Sequence, residues 1–136
     1  KWETGLKIIK SILADSVKID TSKIKLADGS GLSRYNLSSA ENITHFLDYM
    51  YQSQFRDSFI SSMPFGGSKS TLKERLIEIG PDVRVKTGSL TGISCLSGYI
   101  FSKRYGPLAF SILINGYTGS SLPYKELQDK IVTLLR

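Results

Sequence analysis

Three segments in the second half of the chain are rich in β-branched and apolar residues, and short polar turns separate them. They read VRVKTGSL, GISCLSGYIFS and GPLAFSILING, with Gly92 and residues 103–106 at the turns. Runs of this length and composition are typical of β-strands. Because links this short join antiparallel neighbours, the pattern predicts a three-stranded antiparallel meander.

Apolar residues at helical spacing mark three further segments. They cover residues 3–15, residues from about 40 to 54, and the end of the chain from Pro123 onward. The apolar positions in these segments are Leu6, Ile9, Ile12, Leu13, Ile43, Phe46, Leu47, Met50, Leu127, Ile131, Leu134 and Leu135. Helices before and after an antiparallel sheet predict the α+β class, with the helices packed on the sheet.

Shorter signals predict how these elements begin and end. The sequence SSAE at 38–41 is a capping box, in which a serine caps the helix and the glutamate reaches back. Residues 16–37 read as loop and short strand, and residues 55–62 as one or two helical turns. Ser70 is placed to cap a short helix over 71–79, which Gly80 and Pro81 would stop.

The composition bounds the class of protein. With 136 residues, 40% of them hydrophobic and 22% charged, the chain fits one globular domain. Its longest apolar runs, such as AFSILI at 109–114, are too short to span a bilayer. The net charge is +6, but the lysines are scattered and form no recognition helix, so nucleic acid is not an expected partner.

The start of the chain shows no pattern of a signal peptide. It opens KWETGLKII, which leads straight into a helical pattern and carries no initiator methionine. We therefore expect a piece cut from a longer protein, forming a single partial domain over residues 1–136.

The sequence contains few residues that could bind a metal or a cofactor. Cys95 and His45 are each the only residue of their kind, so neither a disulfide nor a cysteine metal cluster can form within the chain. Cys95 lies among apolar residues of a predicted strand and reads as a small buried hydrophobe. No metal and no cofactor are expected.

The stretch Lys86-Thr87-Gly88-Ser89 carries the chemistry. A lysine charge beside a threonine hydroxyl can hold a carboxylate. A glycine lets an extended peptide lie against the strand, and the Ser89 amide can donate to an oxyanion. Such a set suits a site that reads the C-terminal carboxylate of a peptide, although the tripeptide taken alone favours a strand end and turn.

A second marked stretch reads DGSGLSRYN at 28–36. Its glycines, Gly29 and Gly31, permit backbone that other residues avoid, and Asp28 and Ser30 can satisfy nearby amides. These four residues predict a rigid turn. Two roles stay open for Arg34 and Tyr35, which would either line a groove or cover the turn.

Together the two stretches resemble a known family. DGSGLSRYNLSS followed about fifty residues later by VKTGSLTGISCLSGYI is similar to the C-terminal part of class C low-molecular-mass penicillin-binding proteins. These are D-alanyl-D-alanine carboxypeptidases and endopeptidases like penicillin-binding protein 4. WETGLKIIKSIL and SMPFGGSKSTLKERL resemble other segments of that family, with Ser70 where glycine is usual.

The resemblance implies a fold, an activity and a set of roles. The fold would be the C-terminal part of a β-lactamase/transpeptidase-like domain. The enzyme would act on the D-Ala-D-Ala end of peptidoglycan stem peptides and be acylated by β-lactam antibiotics. Lys86, Thr87 and Gly88 would be the catalytic motif, Ser89 and Leu90 would bind substrate, and the turn at 28–31 would lie beside the active site.

Two motifs of that family cannot be carried over. Ser-x-x-Lys occurs at 22–25 and 70–73, but at this composition two matches are expected by chance, and Ser22 lies in a polar loop. The residues two positions before the asparagines are never serine, so Ser-x-Asn is missing; they are Arg34, Ala40 and Leu113. We therefore expect the nucleophile on a portion of the enzyme that precedes this chain.

Other readings stay open. A non-catalytic peptidoglycan-binding module of the same fold, or a serine β-lactamase, would share the Lys-Thr-Gly strand. The substrate lies outside the cytoplasmic membrane, so the parent protein is expected to be periplasmic or extracytoplasmic. Apolar surface left exposed in a partial domain predicts a homodimer or pairing with the missing half.

Overall fold

The computed structural model describes residues 2–69, 72 and 74–136. Its helices and strands, in chain order, are α1 (Trp2–Asp15), α2 (Ala40–Gln52), α3 (Arg56–Ser61), β1 (Val83–Leu90), β2 (Ile93–Ser102), β3 (Gly106–Asn115) and α4 (Leu122–Leu134). Short 3₁₀ turns lie at Thr21–Lys23 and Gly80–Asp82. No helix within the described residues is both long and apolar enough to cross a membrane.

The predicted meander is confirmed. The three strands form one antiparallel sheet in the order β1-β2-β3, with β2 in the centre. Thr91 and Gly92 alone connect β1 to β2, and Gly92 has φ +73°, a left-handed conformation that glycine adopts without steric cost. The α+β class is therefore confirmed as well.

Helices cover both faces of the sheet. On one face α4 packs over a core whose centre is Val85, Leu96, Ile100 and Val132, all fully buried. On the other face α2 and α3 pack through Leu47 and their aromatic residues against Tyr99. The Tyr99 hydroxyl donates to the Leu47 carbonyl over 2.6 Å, so this layer is tied to the sheet by a buried hydrogen bond.

The predicted cap of α2 is half correct. Ser39 is the N-cap, and its hydroxyl accepts from the Asn42 amide over 3.1 Å. The residue three after the cap is therefore Asn42, and Glu41 stands one position too early for the reciprocal bond of a capping box. The predicted serine cap is therefore confirmed, whereas the predicted role of the glutamate was wrong.

The predicted short helix over 71–79 was also wrong for its described part. Residues 74–79 form turns, and Leu76 has φ +54°. The Gly67 amide lies within hydrogen-bonding distance of the carbonyls of Leu72 and Arg75, so part of the bonding of this stretch goes to a neighbouring segment, and its internal bonds close only single turns. The proposed cap, Ser70, lies outside the described residues.

The α4 helix turns a different side to the core than its apolar stripe predicts, and the apolar stripe of α1 stays largely uncovered. In α4 the buried residues are Gln128 and Val132, whereas Leu134 is 81% exposed. In α1 no residue is buried, and only Leu13 packs, against a small cluster centred on Val17. An apolar stripe shows which side of a helix avoids water, but it does not say which surface of the protein covers that side.

This orientation of α4 predicts a contrast between two substitutions in the 136-residue chain. Val132→Ala opens a cavity in the core and should lower the free energy of unfolding by ~1–3 kcal/mol. Leu134→Ala removes an exposed side chain and should change the free energy of unfolding by less than ~0.5 kcal/mol. Urea unfolding followed by circular dichroism measures both, and the reverse order would contradict the observed face.

Candidate active site

The outer edge of β1 presents backbone amides in a set order. The Val85 amide donates to the Pro64 carbonyl over 3.0 Å, so it points away from β2. Because amides alternate in direction along a strand, those of Thr87 and Ser89 point to the same outer edge. Gly88 and Lys86 instead turn their backbone groups toward Cys95 and Ser97 of β2.

Lys86 lies exposed at this edge. Its ammonium donates to the Thr87 carbonyl over 2.7 Å, which holds the positive charge close to the backbone of the strand. Its cross-strand neighbour is Ser97, whose hydroxyl lies 2.8 Å from that of Ser111 on β3. A cation and two hydroxyls therefore form a polar row across the sheet face that α2 and α3 cover farther along.

The fold itself does not require glycine at position 88. A Cβ added there would lie 3.5 Å from the Cys95 Cβ, which is an ordinary contact, and the φ of Gly88 is not in the left-handed range. Gly98 on β2 differs sharply, because a Cβ there would lie 2.1 Å from the Arg84 carbonyl oxygen. The described residues thus leave room for a side chain at position 88, although the residue there is glycine.

The DGSG loop is organised from within. One carboxylate oxygen of Asp28 accepts from the Ser30 amide at 3.0 Å, the Ser30 hydroxyl at 2.9 Å and the Asn36 side-chain amide at 3.2 Å. These bonds, above all the one from the Ser30 hydroxyl, lower the pKa of Asp28. Gly31 has φ +73°, as the turn predicts. Asp28 is thus an acceptor within its own loop.

The Arg34 side chain brings the two marked stretches together. The Arg34 guanidinium donates to the Thr91 carbonyl over 2.7 Å, which ties the DGSG loop to the turn that follows Leu90. The two residues lie 57 positions apart, and no periodicity or motif in the sequence signals the contact. Arg34 therefore does more than cover its own turn, because its guanidinium reaches across to the turn that follows β1.

The remaining candidates do not join this site. Cys95, the cross-strand neighbour of Gly88, is half-buried, and this burial raises the pKa of its thiol. Ser22 lies in a 3₁₀ turn and donates to the Asp20 carboxylate over 2.6 Å. His45 is exposed on α2. Ser70 and Lys73, the other Ser-x-x-Lys match, lie outside the described residues.

Metal ligands do not converge among residues 2–69, 72 and 74–136. Within this part of the chain no three His, Cys, Asp or Glu side chains are grouped as a metal site would need.

Comparison with known proteins identifies the family. The family model of the D-Ala-D-Ala carboxypeptidase 3 (S13) family matches residues 1–136. The chain belongs to this S13 family. A D-alanyl-D-alanine carboxypeptidase of Actinomadura sp. strain R39 is 34% identical over 125 residues, covering 87% of this chain. The D-alanyl-D-alanine carboxypeptidase DacB of Haemophilus influenzae is 32% identical over 140 residues, covering 99% of this chain.

Solved structures agree on the fold. Penicillin-binding protein 4 of H. influenzae, complexed with a β-lactam, superposes with a TM-score of 0.85 over 99% of this chain at 29% identity. A predatory endopeptidase of Bdellovibrio bacteriovorus shares the fold with a TM-score of 0.78 at 22% identity. The resemblance to penicillin-binding protein 4 predicted from the sequence is confirmed.

The chain is short beside these S13 proteins. It spans 23% of the Actinomadura carboxypeptidase, 29% of the Haemophilus carboxypeptidase and 34% of the Haemophilus penicillin-binding protein chain. The activity of a whole S13 enzyme therefore reaches this chain only as a proposal.

The bonds to Asp28 predict how the DGSG loop responds to acid. Because the pKa of Asp28 is lowered in the folded loop, folding stabilises the charged carboxylate. This contribution to the stability of the fold is present above pH 3.8, the ordinary pKa, and is lost as the pH falls through the lower pKa of the folded state. The amide resonances of Ser30 and Asn36, followed by NMR, should titrate with a midpoint below 3.8.

A synthetic peptide of residues 26–37 is the control for the unfolded loop. Its Asp28 should titrate at an ordinary aspartate value, and Asp28→Asn in the folded chain should remove the transition. Equal midpoints in chain and peptide would contradict the assignment.

Proposed function

We propose that this chain is the C-terminal part of a serine D-Ala-D-Ala carboxypeptidase or endopeptidase that acts on peptidoglycan stem peptides and is acylated by β-lactams. The observation that carries the proposal is the outer edge of β1, where the Ser89 amide points outward beside Lys86 and Gly88. The S13 membership and the β-lactam complex of the Haemophilus relative support it.

Each residue of the edge has a role in this proposal. Lys86 and Thr87 anchor the C-terminal carboxylate of the substrate by charge and hydrogen bonding. Gly88 lets the substrate strand approach, and Leu90 contacts it farther along. The Ser89 amide donates to the oxyanion that forms when the nucleophile attacks the scissile carbonyl.

The nucleophile belongs to a portion of the enzyme beyond this chain. A serine there would attack the carbonyl carbon of the penultimate D-alanine, and the C–N bond to the last D-alanine would break, giving an acyl-enzyme that water then hydrolyses. The greater length of the S13 relatives supports this division. So does Ser22, whose hydroxyl is engaged by Asp20. Residues 1–136 are then a single partial domain.

The DGSG loop forms a second wall of the same site. The bond from Arg34 to the Thr91 carbonyl, which ties this loop to the turn after β1, supports a place for residues 28–31 beside the site. A substrate along the outer edge would pass between the loop and the strand. The peptidoglycan substrate places the full enzyme outside the cytoplasm, in the periplasm or an equivalent compartment.

The outer edge of β3 suits a further pairing. This strand has no charged residue, and no strand among the described residues pairs with its outer side. Long uncharged edges attract another strand. We expect the missing half of the domain to cover this edge in the full enzyme, and the 136-residue chain alone to form a homodimer through it.

Covalent labelling by fluorescent penicillin tests whether the full-length protein is a serine enzyme of the proposed kind. The full-length protein that carries this chain should form a stable covalent adduct with fluorescent penicillin, and the 136-residue chain alone should form none. Absence of an adduct in the full-length protein would favour a non-catalytic binding module, and rapid release of the label would favour a β-lactamase. A serine adduct on the isolated chain would contradict the proposed division.

Lys86→Ala tests the carboxylate anchor in the full-length protein. Loss of a charged anchor should lower the rate constant of labelling by ~10²–10³. Lys103→Ala removes an exposed lysine from the turn between β2 and β3 and is the matched control. Equal labelling rates in the two variants would exclude a role of Lys86 in acylation.

Gly88→Ala tests whether open space at the edge serves the substrate. An added methyl finds only ordinary contacts within the fold, so stability should change by less than ~1 kcal/mol. It would intrude on a peptide lying along the strand, and labelling should fall at least ~10-fold, the scale of a small misplacement in an active site. Gly98→Ala, whose Cβ would meet a backbone carbonyl, should instead destabilise the fold measurably.

A further inference from the structure

A chain of buried polar groups lies behind the edge of β1. Its centre is Gln128 on α4, which is completely buried in the core between the helix and the sheet. The Gln128 side-chain nitrogen donates to the Ser94 carbonyl over 3.0 Å, and its oxygen lies 3.4 Å from the Ser94 hydroxyl. Ser94 itself, on the central strand, is 1% exposed.

Arg75 fixes the other end of this chain. Its guanidinium donates to the Gln128 oxygen over 3.1 Å and grips the Asp129 carboxylate with contacts of 2.7 and 3.1 Å. Its third partner is the Lys125 carbonyl, at 3.3 Å. The side chains of Arg75 and Asp129 are 13% and 25% exposed, so the pair is only weakly screened by water. Gln128 is therefore held in one orientation.

Ser94 lies directly behind Ser89. The two residues are cross-strand partners in the pairing of β1 with β2. Since the Ser89 amide points to the outer edge, Ser89 and Ser94 form a pair without ladder hydrogen bonds, in which the backbones approach most closely. The position of Ser89 then depends on its neighbours in β1 and on what holds Ser94 from behind.

The filling of space alone would not need this arrangement. Methionine has nearly the volume of glutamine and would fill the same space without desolvating an amide. The glutamine is instead bonded at both ends, and a fully satisfied buried network restricts the groups it joins to one geometry.

We propose that Gln128, oriented by Arg75, is a positioning residue for the reaction: it holds Ser94 and thereby sets the place of the Ser89 amide that donates to the oxyanion. This inference rests on the proposed function and extends it to residues on the far side of the sheet. Neither Gln128 nor Arg75 touches the substrate.

The test uses the full-length protein and the variant Gln128→Met, with Gln52→Met on the exposed end of α2 as the matched control. A displaced oxyanion donor should lower the rate constant of acylation by a β-lactam ~10-fold, less than the ~10²–10³ lost when a donor is removed. For a D-Ala-D-Ala peptide, kcat should fall by a similar factor while KM changes less than twofold.

Infrared spectroscopy of the acyl-enzyme reports the donor directly. A longer hydrogen bond polarises the ester carbonyl less, so its stretching band should move to higher wavenumber in Gln128→Met and stay in place in Gln52→Met. A change in stability alone would not move this band. An unchanged band and an unchanged acylation rate in the folded variant would overturn the proposal.

Two further outcomes separate the possible failures. If Gln128→Met does not fold, Gln128→Glu keeps an acceptor for Arg75 but cannot donate to the Ser94 carbonyl, and the same shift of the band is expected from it. If the unmodified protein forms no acyl-enzyme, the proposed function fails and this inference fails with it. A labelled unmodified protein with an unaffected variant refutes only the role of Gln128.

Discussion

The antiparallel pairing of β1 with β2 sets the direction of both the core residues and the backbone groups at the candidate site. It directs the Ser89 amide outward, beside Lys86 and Gly88. The same alternation directs Val83 and Val85 into the core beneath α4. A slip of one residue would exchange the two faces and reverse both sets of directions. One register therefore builds the core and the candidate site together.

The candidate site is assembled from segments that are distant in the chain and are joined by side-chain hydrogen bonds. Arg34 reaches from the DGSG loop to the Thr91 carbonyl, and Gln128 reaches from α4 to the Ser94 carbonyl. Both side chains end on backbone carbonyls of the β1–β2 hairpin, one at its turn and one behind its edge. Side-chain bonds to backbone restrict a strand more than contacts between flexible side chains do, so these two bonds hold the hairpin in one geometry.

Much of the fold could be predicted because its signals are local. The three strands follow from runs of β-branched residues, and the turn at Gly92 from a glycine that tolerates positive φ. The prediction of a helix over 71–79 was wrong in its described part. Leu76 has helical spacing from its apolar neighbours. However, the Gly67 amide, from another part of the chain, donates to the carbonyls of Leu72 and Arg75. Nothing in a single stretch of sequence reveals that competition.

By itself, then, the sequence determined the α+β class, the strand boundaries, the internal turn around Asp28 and the family resemblance carried by the DGSG and KTG stretches. These depend on backbone preferences and on side chains a few residues apart. Tertiary structure alone decided that Arg34 meets Thr91, and that α4 turns Gln128 instead of Leu134 toward the sheet. Those contacts join groups far apart in the chain, and their energy exists only once the sheet has brought the groups together.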